Sequence, residues 1–152
     1  MDSPILQIIM RYIHIVSAII VVGGMSFMLM CLTPAVRLLD EQFRDSLMKM
    51  VHHRFLRIVW VAIGGLVVSG AYNWYMLADT YKKMGPKGNA LIGTKVLVAF
   101  IMFAVVGARS VGMMQNPRRA LMINIHLAAI VILIAAILRY YRLEYLASML
   151  GH

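Results

Sequence analysis

The chain has 152 residues, 62% of them hydrophobic and 14% charged, and a net charge of +9. A soluble domain of this length carries about a quarter charged residues and could not hide so much apolar side chain, so the composition excludes an ordinary water-soluble globule. The basic excess, 15 Lys and Arg against 6 Asp and Glu, lies at the ends of apolar runs, where cations meet headgroups, and this excludes the nucleic-acid reading that a basic soluble domain would invite.

The first apolar run extends from about Ile5 to Thr33, opened by Ser3 and Pro4 and closed by Pro34. Its start, MDSPILQIIMRYIHIV, lacks a basic leader and a small-residue cleavage site, so it reads as the first membrane span. Residues 35–54 follow as a charged segment with Leu38, Leu39, Phe43, Leu47 and Val51 at helical spacing, predicting an interfacial helix. A second span is predicted at 55–77. After it, ADTYKKMGPKGN carries Gly-Pro and Gly-Asn turn signals. The third span is predicted at 90–108. An Asn-Pro turn with Arg118 and Arg119 leads to the fourth, at 121–138.

Each run approaches the roughly 20 residues that cross a bilayer core. The fold class is therefore all-α: one four-helix, up-down transmembrane domain over 1–152, with both termini on one side. One face holds Arg37, Arg44, Lys49, Arg54, Arg57, Arg109, Arg118 and Arg119. The other holds Arg11, Lys82, Lys83, Lys87, Arg139 and Arg142. The larger set favours the first face as cytoplasmic, in a multi-pass protein of a bacterial inner membrane. Trp60, Tyr72, Trp74, Tyr75, Tyr81, Tyr140 and Tyr141 sit near span ends and read as an aromatic belt.

Ionisable side chains inside a span are costly and face the bundle interior or a partner, which singles out His14, Lys95, Arg109 and His126. His14 and Lys95 lie at similar depth. Lys95, Met102 and Arg109 recur every seven residues on one face of the third helix. His14, Ser17, Val21, Met25 and Met28 form a stripe on the first, and the two stripes are expected to face each other. A buried ammonium needs a carboxylate; the spans contain none, and a cofactor propionate would supply one. The bland alternative makes His14 and Lys95 interhelical hydrogen-bonding glue and lets Arg109 snorkel to the headgroups.

His126 lies deeper from the Arg119 side, level with Met25, Met28 and Met102. An imidazole with thioethers suits haem iron or Cu(I), although most of the 14 methionines serve packing. His14 and His126 differ in depth by well over about 10 Å, an awkward pair for one iron. His52 and His53 read as a solvated interfacial pair, and His152 as incidental. Gly23, Gly24, Gly64, Gly65, Ser69 and Gly70 leave room for close helix approach or for a flat macrocycle. The single cysteine, Cys31, excludes an intrachain disulfide and a thiolate zinc site. No nucleophile–base pair, P-loop, dinucleotide glycine pattern or HExxH motif occurs.

The order of these features resembles the membrane domain of the copper resistance protein D family. The first span, IHIVSAIIVVGGMSFMLMCLTP, has the His, Gly-Gly, Pro order through His14, Gly23, Gly24 and Pro34. The second, RFLRIVWVAIGGLVVSGAYNWY, looks like that family's arginine-led helix, and GNALIGTKVLVAFIMFAVVGARS like its lysine-bearing one, with Lys95 in place. The skeleton is also similar to the HemJ-type protoporphyrinogen oxidases, where MKMVHHRFLRI matches the entry to the second helix. That resemblance implies haem binding and redox chemistry at His14 and Lys95. Both families place an acidic residue early in the last helix, where this chain has Asn124 and then His126; the lost carboxylate speaks against the oxidase activity, and the gained histidine speaks for haem or metal ligation.

The leading expectation is a haem b-binding, cytochrome b-like electron-transfer protein. His14 and His126 are its candidate ligands, singly or across a homodimer. Lys95, Arg109 or Arg57 pair the propionates, and a redox protein or a quinone is the partner. The competing expectation is copper handling, with Met25, Met28, Met30, Cys31, Met102 and His14 as a soft path for Cu(I). A third is an accessory subunit of a larger membrane complex, its histidines structural.

Overall fold

The computed structural model describes residues 3–113 and 116–149, apart from the side chains of Lys87 and Pro117; His152 lies outside the described residues. Among the described residues the regular elements are helices. Helix α1 spans Pro4–Phe27, α2 Glu41–Lys83, α3 Gly85–Ser110 and α4 Pro117–Met149. All four include a stretch long and apolar enough to cross a membrane. This fits a multi-pass membrane protein.

Local chemistry accounts for the ends. Ser3 caps α1 by accepting from the Leu6 N–H, and Pro4 sits in the first turn, where its missing N–H costs nothing. At the far end Pro34 cannot donate to the carbonyl one turn back. The chain widens there into a π turn, Met28–Leu32, in which both the Thr33 N–H and its hydroxyl bond the Met28 carbonyl. A short α piece, Thr33–Ala35, and a 3-10 turn, Val36–Leu38, finish the segment.

Three boundaries differ from the sequence expectation. Residues 41–54 are helical but run into the second span without a break, so α2 is about 65 Å long at 1.5 Å per residue. The predicted turn at 78–89 shrinks to a corner at Met84 and Gly85, where Gly85 takes φ 74° and Pro86 starts α3. Gly88 and Asn89 are already helical, because Gly85 alone supplies the left-handed step. The fourth helix runs on to Met149 rather than ending near Leu138, since Arg139–Met149 contains neither Gly nor Pro.

Helix α1 packs chiefly on α2 and α3 on α4, with thinner α2/α3 and α1/α4 seams that close a ring of four. His14 meets Ser69 and Gly70, Ser17 meets Gly65, and Gly24 meets Phe55, so α1 and α2 run in opposite directions. A Cβ at Gly65 would lie 2.5 Å from Ser17 Oγ, and one at Gly24 would lie 2.6 Å from the Phe55 ring; both positions need glycine for this approach. The buried core comprises Val21, Met25, Val59, Ala62, Ile63 and Val106. Large apolar side chains also cover the outside, among them Ile8, Ile19, Val61, Leu97, Phe100 and Leu133. An outer surface this apolar suits lipid, not water. Trp60, Trp74, Tyr75 and Tyr140 are exposed as a belt would require. Tyr81 is instead buried, packed at the α2–α3 corner beside Gly88.

Candidate functional site

The polar groups fall into two clusters at opposite ends of the bundle. The first contains His14, Ser69 and Lys95. Ser69 is fully buried, and its hydroxyl donates its one proton to the Gly65 carbonyl on its own helix. The 3.0 Å contact from His14 Nδ1 to Ser69 Oγ is then one in which the imidazole N–H donates. That assigns the proton to Nδ1, and the Leu66 carbonyl is a second hydrogen-bond partner of the same imidazole. The Lys95 ammonium, half-buried on α3, acts electrostatically on this ring across the bundle. No carboxylate pairs with Lys95 among the described residues.

The second cluster lines a cavity of about 350 Å³ between the π turn, the first half of α2, the end of α3 and the start of α4. Met25, Met28 and Met48 contribute thioethers and His52 an imidazole, while Lys49, Arg109 and Arg118 bring positive charge. Asp45 is the one acidic residue there, and Arg44 Nε sits 3.5 Å from its carboxylate. Asn124 reaches the same cavity from α4; it is 3% exposed, and its Oδ1 has no hydrogen-bond partner among the described residues. Close by, Trp60 Nε1 donates to Ser110 Oγ and ties α2 to α3.

These placements sort the sequence candidates. His14 and Lys95 lie within electrostatic reach of each other across the bundle. Met25 and Met28 are buried at the cavity wall, 11 and 14 residues along α1 from His14, or roughly 16–21 Å by helical rise, so they do not share a site with it. Met102 is buried between the two clusters in the helix order. Arg109 joins the cavity, whereas Arg57 is exposed on the outside. His126 is also exposed, and its Nδ1 bonds the Met122 carbonyl of its own helix, so one chain does not bring it to His14. Met30 and Cys31 are exposed as well, outside the cavity that Met25 and Met28 line.

Sequence reasoning missed three cavity residues. His52 was expected in solvent beside His53; His53 is exposed, but His52 is half-buried. Met48 lies one turn before His52 on the same face of α2, an i, i+4 signal that could have found the pair. Asn124 was noticed only as a missing carboxylate. Groups of three or more His, Cys, Asp or Glu arranged to hold a metal do not occur among the described residues.

No family model, curated protein or solved structure matches this chain. The residues themselves carry the functional argument.

Proposed function

We propose that this chain is a haem b-binding electron-transfer protein of the membrane, of the copper resistance protein D-like type, with His14 as the ligand residue and Lys95 as counter-charge to a propionate. The observation that carries the reading is the hydrogen bond from His14 Nδ1 to Ser69, whose own proton is committed to Gly65. A metal-ligating histidine characteristically donates its second ring N–H to a fixed acceptor, which sets the tautomer and the ring plane. Ser69 provides that acceptor from a fully buried position. Lys95 provides a cation without a carboxylate partner among the described residues, the complement of a cofactor acid. Haem bound there would supply one-electron chemistry at a potential set by its axial ligand and burial. The chain's own part is to fix the ring, neutralise the acid and exclude water with apolar neighbours.

The proposal includes an up-down bundle with both termini on one side and residues 41–54 of α2 at the headgroups, where Arg44, Lys49 and Arg54 are solvated. It also includes a homodimer as the way for the outward His126 to find a partner in lipid. The test is an optical spectrum of protein purified after haem-replete expression. A Soret band is expected in the wild type, retained in His126→Ala and lost in His14→Ala. Colourless wild-type protein overturns the reading.

A copper reading has one specific observation in its favour: Met25, Met28, Met48 and His52 line a single cavity, a donor set soft enough for Cu(I). Against it, Lys49, Arg109 and Arg118 line the same cavity and repel a cation. Metal analysis of the purified protein decides; stoichiometric copper lost in a Met25→Leu, Met28→Leu variant would revive copper handling.

A further inference from the structure

The second cavity has a use independent of His14. Its cations outnumber its acids, and its single carboxylate, Asp45, already has the Arg44 guanidinium beside it. Positive residues at the membrane boundary above an apolar cavity complement an acid with an apolar body. Six residues along α4 from Arg118, roughly 9 Å deeper by helical rise, Asn124 adds a second polar contact to the cavity lining. Its Oδ1 is an acceptor buried without a donor among the described residues, a state that is destabilising unless a guest supplies one. The wall between is apolar, with Val59, Val105 and Leu121, and the thioethers of Met25 and Met28 can reshape around a guest.

We infer that this cavity binds an amphiphilic carboxylate that bears a hydroxyl on its apolar chain, the acid held at Lys49, Arg109 and Arg118 and the hydroxyl donated to Asn124. A phospholipid fits less well. A cavity of about 350 Å³ has room for one medium-length chain and not for two acyl chains, and an acyl chain has no donor for Asn124.

Calorimetric titration of the full chain in phosphatidylcholine nanodiscs, with 10-hydroxydecanoate and with decanoate as probes, tests this. The hydroxy acid is expected to bind about tenfold more tightly, because decanoate leaves the buried acceptor unpaired. Arg118→Gln should weaken both probes alike. Asn124→Leu, close to isosteric, should keep decanoate binding and abolish the difference. The wild-type comparison is decisive whatever the variants do: equal affinity for the two acids, or no binding of either, overturns the proposal. A repeat in phosphatidylglycerol nanodiscs separates the sources. Hydroxy-acid binding that persists there supports a free acid; its disappearance shows a lipid headgroup to be the occupant and overturns the proposal.

Discussion

A hydroxyl on Ser69 decides which nitrogen of His14 carries the proton. Because the hydroxyl has one proton and gives it to Gly65, it faces His14 as an acceptor, and the imidazole must be the donor. Ser69→Ala removes that acceptor and leaves an N–H in a site that water does not reach freely. The expected cost is about 1 kcal/mol in the thermal unfolding of the detergent-solubilised protein, modest because the ring is only half-buried. Any Soret band should broaden or shift, because the ring loses its orienting bond. An unchanged melt and an unchanged spectrum would show that Ser69 merely fills space. His14 and Lys95 are legible in the sequence because an ionisable side chain in a 20-residue apolar run stands out, and helical counting places both at one depth. Ser69 is visible there only as a small residue. Its role depends on register between two helices, which periodicity within either one does not contain. His126 shows the same gap from the other side: its depth is readable from sequence, but its outward direction on α4 depends on which face of that helix packs inward.

The seam between α1 and α2 turns on two of its five glycines. Gly24 and Gly65 touch the opposing helix so closely that a methyl would intrude on Phe55 and on Ser17, whereas Gly23 and Gly64 have nothing within 4 Å of a Cβ. Gly65→Ala should therefore lower stability by about 1–3 kcal/mol, the cost of overpacking, and part the helices where His14 meets Ser69. Gly64→Ala should be neutral or stabilising by up to about 1 kcal/mol, since alanine is the better helix former. Melts of the two variants side by side check this; equal losses would mean that the helices do not approach as described. From sequence the doublets Gly23-Gly24 and Gly64-Gly65 look alike. Only the packed pair distinguishes the member that faces in. The four spans are readable because length and hydropathy alone define them, and a helix before the second span is readable from its apolar spacing; its unbroken join to that span and the run of α4 to Met149 are not, because no hydropathy boundary marks either.

Across the whole molecule, the arrangement of charge predicts orientation. Arg109, Arg118 and Lys49 gather at the cavity end, joined by Arg44, Arg54 and Arg119 nearby in the chain, whereas Arg11, Lys82 and Arg142 mark the other. Lys and Arg in short loops favour the cytoplasmic side, so the cavity should open to the cytoplasm and the His14 end should lie toward the opposite face. The proposed up-down bundle of four crossings would put both termini on one side. Alkaline phosphatase, active only outside the cytoplasm, should therefore be active when fused after either terminus. Green fluorescent protein inserted after Gly112, between α3 and α4, should fluoresce, since it matures only inside. The reverse pattern would invert the cavity and expose it to the other compartment, while a phosphatase active at one terminus only would mean an odd number of crossings. Each result also bears on ligand supply. With the cavity inward, the acid proposed at Asn124 would come from the cytoplasm or the inner leaflet, and the haem proposed at His14 would lie nearer the outer face.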